Sequence, residues 1–228
     1  NSEATLRAAV DAGVNPIKLM ADINLSSTLD LSSKNITIDL NGHVISGADI
    51  SINTGNGNAN LTLKDSRPNA THTDSTLPLG GVVKAKISMY QSGGKYNDCV
   101  LYANGGTVTS EFYTNTNAVS IKCTSNTPTA FTGKIFGYTH LYGGIYYGTV
   151  DSSVTFEESK ITFKNGSNTY AYEVVDTGNI TVAPTTPAII EGYSGFAGWY
   201  NGDTKYTFGS KLSEDITLTA KFNNPRTY

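Results

Sequence analysis

The chain has 228 residues, enough for one large domain or two small ones. Charged residues make up only 15%, and 23 glycines with many Asn, Ser and Thr residues take their place, whereas an average soluble protein has roughly 25% charged residues. The net charge of −3 and the three arginines exclude a basic nucleic-acid footprint, and no apolar run approaches the roughly 18 residues of a membrane-spanning helix. The composition favours a β-rich, soluble protein.

The N-terminal segment predicts a helix. Residues Ser2–Gly13 (SEATLRAAVDAG) begin with a capping serine, and the acidic residue of the capping box is displaced to Glu3. The apolar stripe of this helix consists of Leu6, Ala9 and Val10. Gly13 ends the helix, and Asn15-Pro16 breaks the chain after it. We expect residues 1–15 to cap the open end of the structure that follows.

From Ile17 the apolar period changes from helical to two. Alternating apolar residues predict short strands with one buried face, at Ile17/Leu19, Ile23/Leu25, Leu29/Leu31, Ile36/Ile38/Leu40, Ile50/Ile52, Leu61/Leu63 and Val119/Ile121. Two segments recur further along the chain at one common offset, Ile36–Asp39 as Leu61–Lys64 and Gly80–Val83 as Gly105–Val108. Antiparallel hairpins are one interpretation of these strands.

The repeat favours a different architecture. Self-similarity at a period of about 20–50 residues is typical of a solenoid, in which each turn stacks on its neighbour. Turns of about 25 residues made of short strands predict a parallel β-helix over residues 16–158, with about five to six turns. The polar segment Arg67–Pro78 (RPNATHTDSTLP) has no apolar pattern and is predicted to be a loop outside the stack.

The two cysteines are predicted to be free. If Cys99–Ala103 and Val119–Cys123 are stacked strands, Cys99 lies opposite Val119 and Cys123 lies opposite Ala103. The thiols are then about 13 Å apart at ~3.3 Å per residue, which exceeds the Cα separation of ~7 Å that a disulfide tolerates. The alternation directs both side chains inward, so we expect two buried thiols.

The repeat ends near residue 159. The following strands are predicted at Ile161–Phe163, Tyr170–Val175, Ile180–Val182, Tyr206–Phe208 and Ile216–Phe222. Turn signals lie at Asn165-Gly166 and Asn201-Gly202. These features predict a small, separate β domain over residues 159–223 and a short tail over residues 224–228.

Two parts of the chain resemble known families. The segment Leu6–Gly47, above all ITIDLNGHVISG at Ile36–Gly47, resembles the opening of bacterial right-handed parallel β-helix proteins of the pectate-lyase-like superfamily. This resemblance covers about a fifth of the chain and implies a right-handed β-helix with an N-terminal capping helix.

The segment Lys160–Phe222 resembles a single Listeria–Bacteroides repeat, the β-grasp-like module also known as the internalin B-type repeat. The resemblance rests on Ile161-Thr-Phe163, Pro184, Pro187, Glu191-Gly-Tyr193, Phe196-Ala-Gly-Trp-Tyr200, Tyr206, Phe208 and Asp215–Phe222. Gly195 is an extra residue, and Phe222 replaces the usual final Trp. The resemblance implies a secreted or surface-attached bacterial protein and no particular reaction. The fold class that results is all-β dominated, with a capped β-helix and a β-grasp-like C-terminal domain.

The chain offers little for catalysis. Lyases with a β-helix need clustered carboxylates that hold Ca²⁺ and a basic residue beside the sugar, and hydrolases need two carboxylates within ~5–9.5 Å. The acidic residues of the predicted β-helix are scattered, and only Asp39 and Asp65 are candidates to meet on neighbouring turns. The three histidines, His43, His72 and His140, lack metal-binding spacing. We therefore predict no catalytic residue, no metal site and no cofactor.

One segment favours ligand binding. Residues Tyr138–Tyr147 contain four tyrosines and a histidine. If the segment is a single strand, Leu141, Ile145 and Tyr147 face inward. The outward residues, and the candidate ligand-binding residues, are then Tyr138, His140, Tyr142 and Tyr146. Exposed tyrosine rings suit stacking on a sugar, because the ring is apolar and the hydroxyl is polar. Alternatively, these rings close the C-terminal end of the core or pack against the following domain.

These patterns favour a non-catalytic, adhesin-like protein outside the cell. The predicted partner is a glycan or another surface protein, and the predicted oligomeric state is a monomer. A polysaccharide lyase or glycoside hydrolase with a divergent active site is the alternative from another class. A purely structural stalk is the third hypothesis.

Overall fold

The structure is a computed structural model that describes residues 2–55, 57–91, 98–114 and 119–224. In this part of the chain one helix, α1, spans Glu3–Asp11. The strands up to residue 156 are β1 Ile17–Lys18, β2 Ile23–Leu25, β3 Leu29–Asp30, β4 Asn35–Asp39, β5 Val44–Gly47, β6 Ile50–Asn53, β7 Ala59–Lys64, β8 Val82–Val83, β9 Ile87–Tyr90, β10 Cys99–Asn104, β11 Thr107–Val108, β12 Phe112–Thr114, β13 Val119–Lys122, β14 Ala130–Phe131, β15 Ile135–Phe136, β16 Thr139–Leu141, β17 Gly144–Tyr146 and β18 Thr155–Phe156. The remaining strands are β19 Lys160–Asn165, β20 Asn168–Val174, β21 Phe196–Asn201, β22 Thr204–Lys205 and β23 Ile216–Phe222.

The predicted helix is confirmed, and its capping box differs from the prediction. Ser2 is the N-cap, and Thr5 closes the box: Thr5 N–H donates to Ser2 Oγ at 3.3 Å while Ser2 N–H donates to Thr5 Oγ1 at 2.8 Å. Glu3 instead forms an ion pair with Arg7 at 2.7 Å and accepts the Ser26 N–H at 3.0 Å. The buried side chains of Leu6 and Val10 join the main core.

The strands form long parallel sheets. The first sheet has the order β1-β4-β7-β10-β13-β16-β18, the third has the order β15-β12-β9-β6-β3, and the second begins with β2-β5-β8-β11-β14-β17. From β1 to β17, successive strands therefore enter the three sheets in rotation, which is a solenoid-like arrangement. Both sequence repeats lie in register, with Ile36 opposite Leu61 and Val83 opposite Val108. The antiparallel hairpin interpretation is wrong for this region, and none of the three sheets closes on itself within the described residues.

The length of chain in each stacked turn is not uniform. The step from Leu61 to its partner Leu101 is longer than the step from Ile36 to Leu61, because the polar segment 65–81 is inserted between β7 and β8. The next two partners in the same row, Ile121 and Leu141, follow at shorter and equal steps. As predicted, Arg67–Pro78 contains no strand. The side chains that point inward alternate along every turn, whereas the corners between strands vary in length.

The buried side chains form two clusters. The main core extends from Leu6 to Val174 and contains Cys99. A smaller cluster contains Ile161, Phe163, Ala171, Trp199, Leu218 and Ala220. Cys99 lies opposite Val119, and both cysteines are buried and free, as predicted. Burial raises the pKa of the Cys99 thiol to about 12.

The second sheet continues into the C-terminal region. Strand β17 pairs antiparallel with β20, with Ile145 opposite Glu173, and the order then runs β20-β19-β23-β21-β22. The hairpins at Asn165-Gly166 and Asn201-Gly202 join β19 to β20 and β21 to β22, as predicted. The strands predicted at Ile180–Val182 and Tyr206–Phe208 are absent from the structure, where both segments are irregular. The boundary between residues 158 and 159 stays a prediction.

Candidate functional site

A groove lies on the outer face of the second sheet. Thr107 and Ala130 lie opposite each other on β11 and β14, next to the inward-facing Val108 and Phe131. Because successive residues of a strand face opposite sides of the sheet, Thr107 and Ala130 point outward and form part of the groove floor.

Three cavities with shared lining residues make up this groove. Their volumes are about 230, 460 and 270 Å³. The first two share Thr107 and Ala130, and the last two share Tyr147, Thr169 and Tyr170. We call their combined lining the long groove: Asp65, Pro68, Pro78, Leu79, Gly105, Gly106, Thr107, Thr127, Pro128, Ala130, Thr132, Tyr146–Val150, Thr169–Tyr172 and Thr185. Its floor crosses β11, β14, β17 and β20, a distance of about 14 Å at ~4.8 Å per strand.

Two tyrosines form a wall within the long groove, where the cavities of about 460 and 270 Å³ meet. The rings of Tyr147 and Tyr170 meet edge to face, with 5.6 Å between their centroids. Thr185 holds both hydroxyls: its N–H donates to Tyr147 Oη at 2.8 Å, and its Oγ1 hydrogen bonds to Tyr170 Oη at 2.8 Å. Burial raises the pKa of the Tyr147 hydroxyl, so this group stays neutral. The rings are therefore fixed in position.

Thr185 belongs to a segment that crosses the outer face of the second sheet, residues 179–185, which we call the strap. Asn179 Nδ2 donates to Cys123 O at 2.6 Å, and Ile180 N–H donates to Asn126 Oδ1 at 3.3 Å. On the C-terminal side, Thr181 N–H donates to Ser210 O at 2.8 Å. The strap therefore connects the parallel sheets to the C-terminal strands and positions the wall of the groove.

A buried carboxyl group lies beneath the strap. Glu173 is 2% exposed, and its Oε1 accepts the Val182 N–H at 2.6 Å. Its Oε2 has no hydrogen-bond partner among the residues that the structure describes. Burial raises the pKa of this carboxyl to about 8, so it is mainly protonated at neutral pH.

A polar cavity of about 360 Å³ adjoins one end of the long groove and is lined by both Asp39 and Asp65. The two aspartates are therefore near each other, on neighbouring turns. Asp39 Oδ1 accepts the Ser66 N–H at 2.9 Å, and Asp65 accepts the N–H groups of Gly42 at 2.8 Å and Gly81 at 2.6 Å. Both carboxylates stabilise backbone turns.

The structure separates the four predicted ligand-binding residues. His140 and Tyr142 lie on the outer face of the first sheet, and Tyr138 is 55% exposed. His140 Nδ1 is 2.5 Å from Glu157 Oε1, and Lys122 Nζ lies 5.0 Å from the centroid of the Tyr142 ring.

The predicted outward orientation of Tyr146 is wrong. Tyr146 is 1% exposed, stacks on Phe131 with 5.0 Å between centroids, and donates its hydroxyl to Gly143 O at 2.6 Å. Tyr147, which was predicted to face inward, lines the groove. Strand β16 ends at Leu141 and β17 begins at Gly144 in another sheet, so the corner between them resets the alternation. The Gly-Gly pair at this corner was the signal in the sequence.

No protein-family model matches the chain, and no significant similarity to a curated protein or a solved structure is found. Within the described ranges, no helix is long and apolar enough to cross a membrane. The same residues contain no group of three or more His, Cys, Asp or Glu side chains placed to hold a metal ion.

Proposed function

We propose that the protein is a secreted or surface-attached bacterial adhesin-like protein that binds a glycan chain in the long groove without cleaving it. The continuity of the three cavities carries this proposal, because an open, elongated groove suits a polymer better than it suits a compact ligand. In this proposal, residues 16–158 form a right-handed parallel β-helix capped by residues 1–15. Residues 159–223 form the β-grasp-like repeat, which supports a location outside the cell.

The chemistry of the groove supports a glycan as the ligand. Tyr147 and Tyr170 offer aromatic surface where two of the cavities meet, and apolar C–H faces of a sugar ring can pack there. Thr132, Thr169 and Thr185 line the same cavity. Each hydroxyl can donate one hydrogen bond and accept others, as sugar hydroxyls do. Apolar surface with a few placed polar groups is the usual lining of a ligand site.

The residues first predicted for binding have a different place in this proposal. His140 and Tyr142 lie on the first sheet, and Tyr138 is exposed outside the lining of the groove. Their role in binding stays a prediction for a separate surface. Tyr146 supports the site from below through its contact with Phe131.

A steric block tests the proposal. Ala130 is a lining residue common to two of the cavities, so Ala130→Gln places a longer neutral side chain on the groove floor. Ser120→Gln is the matched control, because Ser120 lies on a strand of the first sheet opposite His140. Binding to a panel of soluble polysaccharides is measured by affinity electrophoresis, and melting temperatures verify that both variants fold.

We expect Ala130→Gln to abolish binding and Ser120→Gln to retain it. Equal binding by both variants would place the ligand outside the groove and overturn the proposal. Failure of the unmodified protein to bind any glycan would favour the surface-protein partner or the stalk. Release of reducing ends or unsaturated products from a bound polysaccharide, assayed with and without Ca²⁺, would instead favour the enzyme alternative.

A further inference from the structure

We infer that the long groove selects an uncharged glycan over one that carries uronic acid or sulfate groups. This inference rests on the proposed function and concerns the class of ligand that the same site accepts. It follows from the near absence of charged side chains along the groove. The one charged lining residue, Asp65, already accepts the N–H groups of Gly42 and Gly81.

The lining of the long groove is almost free of charge. Among the described residues that line its three cavities, Asp65 is the only charged one, and Lys, Arg and His are absent. Recognition of a carboxylate or sulfate normally uses Arg or Lys, whose charged hydrogen bonds replace those lost to water. An acidic sugar bound here has no such partner, so its desolvation is uncompensated.

The polar cavity at the end of the groove does not reverse this preference. It contains one lysine, Lys64, together with the two carboxylates of Asp39 and Asp65. Lys18 lies outside this lining, and its Nζ is 3.9 Å from Asp39 Oδ2, so the two lysines and two aspartates sum to no net charge. This end therefore offers no excess positive charge that would attract an anionic polymer.

The hydrogen-bonding groups of the groove match neutral sugars. Thr132, Thr169 and Thr185 carry hydroxyl groups that act both as donors and as acceptors. A sugar hydroxyl has the same dual capacity and can be satisfied from either side. A carboxylate only accepts hydrogen bonds, so it uses each hydroxyl only as a donor, and it finds no positive charge among these neutral groups.

Polysaccharide pairs that share a backbone and differ in charge test the inference. The probes are hydroxyethylcellulose with carboxymethylcellulose, dextran with dextran sulfate, and xylan with glucuronoxylan, run in affinity electrophoresis at low and high salt. We expect the neutral member of at least one pair to bind about tenfold or more tightly than its acidic partner, which corresponds to ~1.4 kcal/mol. We also expect the affinity for the neutral glycan to depend little on salt concentration, because salt screens interactions between charges and a neutral glycan carries none.

A charge-introducing variant provides the second arm. Thr132→Lys places an ammonium group in the largest of the three cavities, whereas Thr204→Lys places one on β22, outside the groove. We expect Thr132→Lys to narrow or reverse the preference and Thr204→Lys to leave it unchanged.

The outcomes separate the inference from the proposal on which it rests. Tighter binding of an acidic member by the unmodified protein, abolished by Ala130→Gln, would overturn the inference and leave the groove as the binding site. An unchanged preference in Thr132→Lys would also overturn it. Absence of binding to every polysaccharide would overturn the proposed function, and the inference with it.

Discussion

Replacing Glu173 by glutamine is expected to stabilise the protein at neutral pH and above. The side chain is buried beneath the strap, and one of its oxygens lacks a hydrogen-bond partner among the described residues. Glutamine has nearly the same shape as a protonated glutamic acid, and its oxygen can still accept the Val182 N–H, a bond of 2.6 Å in the structure. The substitution therefore removes the ionisation while preserving the contact.

The size of the effect follows from the pKa of Glu173. Burial raises this pKa from 4.5 to about 8, and each pKa unit corresponds to ~1.4 kcal/mol. Below pH 4.5 both the folded and the unfolded chains hold the proton, so no penalty arises. Between pH 4.5 and about 8 the unfolded chain releases the proton first, and the free energy of unfolding falls as pH rises. The full loss is on the order of 5 kcal/mol, and about 3 kcal/mol of it is reached by pH 7.

Urea denaturation of both proteins from pH 4 to pH 9 measures this effect. The difference in unfolding free energy between Glu173→Gln and the unmodified protein should increase with pH over this range and level off near its upper end. The difference between the proteins isolates Glu173, because the other titrating groups are common to both. Exposed Glu191 provides the matched control, and Glu191→Gln should change stability by less than about 0.5 kcal/mol throughout. A difference that stays constant with pH would refute the reasoning, because it would mean that Glu173 ionises equally in both states.

Three further predictions concern the main core. Tyr146→Ala removes a ring stacked on its neighbour and should reduce the unfolding free energy by about 3–5 kcal/mol, measured by urea denaturation; a change below about 1 kcal/mol would contradict its burial. Cys99, whose pKa burial raises to about 12, should react with a disulfide reagent such as DTNB only after unfolding, and rapid labelling of the native protein would contradict this. Gly81→Ala should destabilise the protein by about 1–3 kcal/mol, because the new Cβ would lie 2.3 Å from Leu40 Cβ. The control is Gly57→Ala, whose new Cβ would have no atom within 4 Å. Gly57→Ala should lower the melting temperature less than Gly81→Ala does.

Parallel stacking could be predicted because stacked turns present equivalent residues to the same sheet. Ile36 and Leu61 occupy equivalent positions of the sequence repeat and lie directly opposite each other. The offset of the repeat therefore predicts which residues pair between the two strands. The lengths of the other turns could not be predicted, because corner residues contact solvent and leave no apolar pattern. The insertion between β7 and β8 is recognisable only by its lack of a pattern.

The C-terminal region shows where local pattern fails. Residues Ile180–Val182 alternate as a strand does, and yet they form part of the strap. Their backbone groups are paired with Asn126, Ser210 and Glu173, which lie between 9 and 54 residues away in the chain. Hydrogen-bond partners that are distant in the chain decide whether such a segment joins a sheet. The alternating pattern of the segment itself therefore cannot distinguish a strand from a strap.

The candidate site depends both on strand register, which the repeat predicts, and on long-range contacts, which it does not. Its floor comes from outward residues of stacked strands, such as Thr107 and Ala130, whose orientation follows once the register is known. Its wall depends on Tyr147, whose orientation is set by a two-glycine corner, and on Thr185, which the strap brings to the tyrosine hydroxyl. A strand pattern continued across that corner assigns Tyr146 to the surface and Tyr147 to the core, the reverse of the structure. The Gly-Gly pair marks only where the alternation must be restarted. Its phase beyond the corner is set by the pairing with β20, where Tyr146 lies opposite Tyr172 and both pack in or against the main core. Tyr147 then reaches the groove, and this long-range pairing is absent from the local sequence.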